Sequence, residues 1–221
     1  MATDEYNPLD YANLTKNCVQ ELMTRGPYEL ALSEPFTGSG VYALFYTGNL
    51  SIYRAIRSPD ATWPIYVGKA VPPGARKGAA SQNARARGPS KSLYKRLREH
   101  KKSIEAADDL DSRDFLCRYL VVTPLWITMA ERLLIERFQP AWNVCIEGFG
   151  LHHTGKGRYE GQRSWWDVLH PGRAWAEQLQ ETRTRAEAWR RITDFLKIRR
   201  PGRSLPALPA DASLYMEDDD D

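Results

Sequence analysis

The chain has 221 residues, is 42% hydrophobic and carries a formal charge of +3. That length admits one or two domains, and that apolar content supports a packed core, which excludes a disordered chain. No run approaches the ~18–20 apolar residues of a membrane helix, and the polar start lacks a signal-peptide core, so a cytoplasmic protein with no membrane partner is expected.

Taken in chain order, residues 9–24 predict a helix from the spacing of Leu14, Val19, Leu22 and Met23, stopped by Gly26-Pro27. Residues 41–46 (Val-Tyr-Ala-Leu-Phe-Tyr) read as a buried strand behind the turn Thr37–Gly40. A second strand is expected over 63–67, stopping at Gly68 and pairing antiparallel with the first. Residues 70–90 hold several Gly and Pro residues and read as a basic loop. A helix follows over 90–107, a third strand over 115–122, and a helix over 127–138 that ends before Pro140. Residues 148–172 look like loops, 174–198 like one or two basic helices, and 201–221, with three prolines and an acid run, like a flexible end.

Cys18, Cys117 and Cys145 are widely spaced and form no CxxC pair, so neither a disulfide framework nor a zinc site is expected. His152, His153 and His170 have no zinc spacing either. The last five residues, Glu217 to Asp221, are all acidic, and without them the chain carries +8. A basic body of this kind suits a polyanion partner.

The residues that carry chemistry sit on the predicted strands and helices. On the 90–107 helix, Leu93, Leu97 and Ile104 fall within about 40° of one another, with His100 inside the stripe and Arg96 at its edge. An Arg at an apolar edge needs a partner, either a phosphate or a carboxylate. On the 127–138 helix, Ile127, Ala130, Leu134 and Phe138 define the buried face. Glu131 projects within that face, whereas Glu136 is expected opposite it, in solvent. An inward carboxylate must be paired or bind a cation. Glu131 is therefore the metal-ligand candidate, with an ion pair to Arg96 or Arg132 as its structural alternative.

Two tripeptides complete the pattern, Gly40-Val41-Tyr42 and Tyr66-Val67-Gly68. Followed in order by Arg96, Glu131 and Asn143, they resemble the GIY-YIG nucleases, with Val at both middle positions, over roughly residues 38–145. The resemblance implies an α+β fold: a small mixed or antiparallel three-stranded sheet flanked by helices, with N- and C-terminal helical and loop extensions. It implies a metal-dependent endonuclease in which Tyr42, Tyr66, Arg96, His100, Glu131 and Asn143 meet around one scissile phosphate. Phosphodiester hydrolysis builds charge on phosphate oxygens, which Arg96 and Mg²⁺ on Glu131 neutralise; Mn²⁺ is expected to substitute. Tyr42 is expected to activate the attacking water and Tyr66 to orient it, helped by nearby cations, Lys69 among them, that favour the phenolate. His100 is expected to bond the nucleophile or a phosphate. Asn143 is expected to hold a phosphate or orient Glu131, unless it is an ordinary cap or turn residue.

Between Lys69 and Lys102 there are eleven Lys or Arg residues and one acid, Glu99. Lying between the tripeptides and the Arg96 helix, this run borders the expected site, and Lys69, Arg76, Lys77, Arg85, Arg87, Lys91 and Lys95 are its DNA-binding candidates. The flanks resemble the family's type II restriction enzymes that cut the palindrome CCGCGG. The resemblance rests on the Arg96–His100 spacing, the twelve residues from Glu131 to Asn143, and the start Asn7-Pro8-Leu9-Asp10. That implies double-stranded DNA as partner and a homodimer reading a two-fold site. Residues 1–35 are then an arm for dimer or DNA contacts, 36–147 the nuclease core, 148–200 an extension packed on it, and 201–221 the tail. The competing readings are a non-catalytic DNA-binding protein, a repair or homing nuclease, and an unrelated α+β enzyme.

Overall fold

A computed structural model describes residues 9–72, 90–151 and 161–198. The first helix, α1, spans Tyr11–Met23, and a two-residue strand, β1, follows at Tyr28–Glu29. Strand β2 is Gly40–Tyr46, and a 3-10 turn at Ser51–Ile56 leads to β3, Tyr66–Ala70. Then come α2 (Ser92–Glu105), β4 (Phe115–Val121) and α3 (Ile127–Phe138). The short helices α4 (Ala141–Val144) and α5 (Trp165–Leu169) precede α6 (Arg185–Ile198).

The strands form one antiparallel sheet in the order β1-β4-β2-β3. The α+β class is as expected, and a fourth strand joins the three that the sequence predicts. Two residues are too few to show alternation, so β1 leaves no trace in the pattern. Strand β3 begins and ends later than predicted, running through Gly68 to Ala70 because Gly40 and Val41 of β2 pair with Ala70 and Lys69. A helix, α5, lies where a loop was read.

Alternation along β2 and β3 separates two cores. Tyr42, Leu44, Tyr46 and Tyr66 face Leu93, Leu97 and Ile104 of α2, together with Trp142, Phe149, Trp166 and Ile192. Val41, Ala43, Phe45 and Val67 face Leu22 of α1 and Ile127, Ala130 and Leu134 of α3. The sheet thus carries α2 and the C-terminal segments on one face and α1 with α3 on the other. Arg118 of β4 is 7% exposed and pins the end of α1, donating to the carbonyls of Met23 (2.9 Å), Arg25 (2.7 Å) and Ala61 (3.0 Å).

Because α1 also lies against α3, a second side of that helix is covered. The expectation that Glu136 is solvated is therefore corrected: its side chain is 12% exposed and accepts from Arg132 Nε at 2.8 Å. Among the described residues, no helix is long and apolar enough to cross a membrane, and Cys18, Cys117 and Cys145 are free.

Candidate active site

Both tripeptide glycines are required by close approach. A Cβ on Gly40 would lie 2.0 Å from the Leu120 carbonyl oxygen of β4. One on Gly68 would lie 2.4 Å from Tyr42 Oη and 3.0 Å from Tyr66 Cε1. Tyr42 sits opposite Gly68 in the register and Leu44 opposite Tyr66, so both tyrosines project to the α2 face, with ring centroids 6.2 Å apart.

On α2, the predicted stripe is the buried one: Leu93, Leu97, His100 and Ile104. His100 is fully buried, and its Nε2 lies 2.5 Å from Tyr42 Oη. One turn earlier, Arg96 is half-buried. Its Nη2 donates to the Gly150 carbonyl at 3.1 Å, its Nη1 lies 3.4 Å from Glu99, and its charge lies close enough to Tyr42 to favour the phenolate. Burial works against the Arg96 charge, but the neighbouring Tyr42 and Tyr66 outweigh it and raise its pKa. For Tyr42 the balance is opposite to expectation. Complete burial, with Tyr66 alongside, pushes the phenol well above its ordinary value, although Arg96 acts to lower it. Within the protein alone, burial thus favours the neutral phenol more strongly than Arg96 favours the phenolate.

Glu131 approaches from α3, on the opposite face from the two rings. Its Oε2 meets Lys69 Nζ at 2.8 Å, with the carboxylate side chain 18% exposed. Lys69 leaves β3 on the α3 face, two residues beyond Val67, so it serves the carboxylate and not the tyrosines. Neither alternative partner, Arg96 or Arg132, forms that ion pair; Arg132 is taken by Glu136. Among the described residues β3 is the sheet's edge strand, so no further strand separates the two faces there, and the Glu131 charge adds a small push upward on the Tyr42 pKa.

Asn143, in α4, uses its amide on the backbone of β3. Its Oδ1 accepts from the Val67 N–H and its Nδ2 donates to the Val67 carbonyl, each at 2.8 Å. It behaves as a surrogate strand partner, between the two residues Tyr66 and Gly68 that shape the site.

Of the DNA-binding candidates, Lys91 and Lys95 are exposed one turn apart at the start of α2, and Lys69 is partly exposed beside Glu131. Arg76, Lys77, Arg85 and Arg87 lie outside the described residues. Sequence reasoning passed over residues 148–151. Phe149 stacks on His100 (4.6 Å between centroids, 19°) and meets Tyr66 edge-on at 4.9 Å, while Gly150 accepts from Arg96. Nothing in a Gly-rich stretch announces such contacts; only the tertiary arrangement does.

Among the described residues no three His, Cys, Asp or Glu side chains gather into a metal-holding group. A cation at Glu131 would have one protein carboxylate, with waters and substrate oxygens completing its shell. That donor set fits Mg²⁺, which keeps several waters and takes few carboxylates. The carboxylate already faces a cation, the Lys69 ammonium.

No curated protein matches the chain. The profile of the Eco29kI GIY-YIG domain matches residues 34–196, from the approach to β2 into α6. With both tripeptides in place on adjacent strands, and with the match covering most of the chain, this protein belongs to the Eco29kI GIY-YIG family and is a GIY-YIG nuclease, an endonuclease of DNA.

Proposed function

We propose that the protein is a type II restriction endonuclease. It hydrolyses phosphodiester bonds in double-stranded DNA at a short GC-rich palindrome, CCGCGG, as a homodimer with Mg²⁺ or Mn²⁺ at Glu131. The observation that carries this reading is the 2.5 Å bond between Tyr42 Oη and His100 Nε2, with Arg96 beside the same phenol. A neutral phenol bonded to an imidazole can act as a relay. Tyr42 Oη takes a proton from a water entering over Gly68 while its own proton passes to His100 Nε2. The water oxygen bonds to phosphorus as the bond to the departing sugar oxygen breaks, and that oxygen takes a proton from solvent. Tyr66, the more exposed of the two phenols, orients the water, and Arg96 bonds the phosphate oxygens as their charge grows. A bound Mg²⁺ supplies further neutralisation of that charge. Asn143 acts by fixing β3, and therefore Tyr66, in place.

Lys69, Lys91 and Lys95 supply phosphate contacts, for which their basicity and position beside the site are the support. The palindrome and the two-fold assembly rest on the likeness of the flanking segments to the enzymes that cut CCGCGG. Incubation with plasmid DNA, with and without Mg²⁺, tests the reading. Discrete fragments whose ends fall within CCGCGG, formed only with the cation, are expected. A gel shift without cutting would establish a non-catalytic DNA-binding protein instead. Preference for branched or asymmetric substrates would establish a repair or homing nuclease.

A further inference from the structure

The segment after α4 contains a buried cation that the relay does not use. Arg173 is 3% exposed, and its Nε donates to Asp167 Oδ1 at 2.6 Å. Asp167 is itself held by Ser164, whose hydroxyl donates to its Oδ2 at 2.5 Å. The Arg173 guanidinium lies over the rings of Trp166 (4.4 Å) and Trp175 (4.8 Å). Its remaining donors go to a single loop. Nη2 bonds the Gly148 carbonyl at 2.9 Å, and Nη1 bonds those of Phe149 and Leu151 at 3.2 and 3.1 Å.

Three of four successive carbonyls are thus gathered by one side chain, and the fourth, that of Gly150, accepts from Arg96. The same loop lays Phe149 on His100 and against Tyr66. One guanidinium holds the loop from within, so that the loop can hold a second guanidinium at the site. We propose that Arg173 is a positioning residue of the nuclease, setting Arg96 and His100 through the 148–151 loop. The proposal rests on the nuclease reading above. A lysine at 173 would keep the charge beside Asp167 but has no rigid fork with which to gather three carbonyls. A displacement of ~1 Å in a group that stabilises the transition state costs on the order of 100-fold in rate.

The test compares wild-type, Arg173→Lys and Arg173→Ala in single-turnover cleavage at saturating protein, with DNA affinity and Tm measured alongside. Arg173→Lys is expected to remain folded, to bind DNA as wild-type does, and to cleave about 100-fold more slowly. Added methylguanidinium is expected to restore rate to Arg173→Ala, while methylammonium does not; a merely structural loss of folded protein would not discriminate between them. Should the Arg173 variants not fold, Asp167→Asn decides the matter. It keeps the shape of the pair while weakening its charge, and is expected to slow cleavage without weakening DNA binding. Folded variants that cleave at the wild-type rate, or that lose only DNA affinity, overturn the positioning role while leaving the nuclease reading intact. A wild-type protein that cuts no DNA overturns both.

Discussion

Tyr42 shows how little of a residue's chemistry follows from its type. From the sequence, Tyr42 lies on a buried strand and can be a phenolate tuned by nearby cations. Burial reverses that, because a fully enclosed phenol resists ionisation more strongly than Arg96 favours it. In the proposed relay the phenol accepts one proton while releasing another, and His100 stands at 2.5 Å to receive it. Tyr42→Phe removes the relay oxygen and keeps the ring, so single-turnover cleavage is expected to fall by about 100- to 10,000-fold, with the folded protein less stable by about 1–3 kcal/mol because the buried bond to His100 is lost. A wild-type rate in that variant would move the base elsewhere. Tyr66, Arg96, His100 and Glu131 were legible from tripeptides and helical spacing, which report the face a side chain shares with its own element's neighbours. The Lys69–Glu131 pair was not. It depends on the strand's parity across β3 and on which helix covers the α3 face, and spacing within one element carries neither.

At the scale of elements, β3 closes the sheet's order among the described residues. It is an edge strand, and an edge leaves backbone N–H and C=O groups needing partners. Asn143 of α4 satisfies both groups of Val67, which explains the use of an amide at this position. Asn143→Ala leaves two backbone groups without that partner and is expected to cost about 1–3 kcal/mol of stability. Hydrogen exchange is the check: amides of β3 are expected to exchange faster in the variant while those of β4 are not. The long, periodic elements α1, α2, β2, β4 and α3 could all be read from the sequence, because their apolar positions repeat. Strand β1 and helix α5 could not: the first is two residues long and the second five, too short for a pattern to repeat. Glu136 was misread for a related reason, since an amphipathic projection assumes one covering surface and α3 has two.

For the molecule as a whole, the segment after α4 is tied to the part of the chain before β3 by a second phenol–imidazole pair. Tyr53 Oη lies 2.5 Å from His170 Nε2 and accepts from Trp142 Nε1 at 2.8 Å. The other ring nitrogen of His170 bonds Asp109 Oδ1 at 2.8 Å, and Asp109 in turn accepts from Arg185 of α6 at 2.7 Å. Burial depresses the His170 pKa below 6.5, although the bond to Asp109 opposes the shift. The unfolded chain therefore takes up this proton first as pH falls. The stabilisation is complete above the ordinary histidine value and drains away as pH drops through the lower, folded one. Thermal unfolding from pH 7 to 5 is expected to show falling stability, with His170 contributing at most about 1.4 kcal/mol per pH unit. His170→Phe is expected to be less stable at pH 7 and to show a shallower slope. An unchanged slope would assign the pH dependence to other groups. In the proposed site, two faces of one sheet meet at β3 to hold a single scissile phosphate. A crystal structure of the protein on a CCGCGG duplex with Ca²⁺ in place of Mg²⁺ tests it most directly. A phosphate beside Gly68, within hydrogen-bond reach of Arg96 and Tyr66, is expected, with a cation on the Glu131 carboxylate and Lys69 displaced from it. A phosphate bound away from β3, or a cation held by residues other than Glu131, would contradict it.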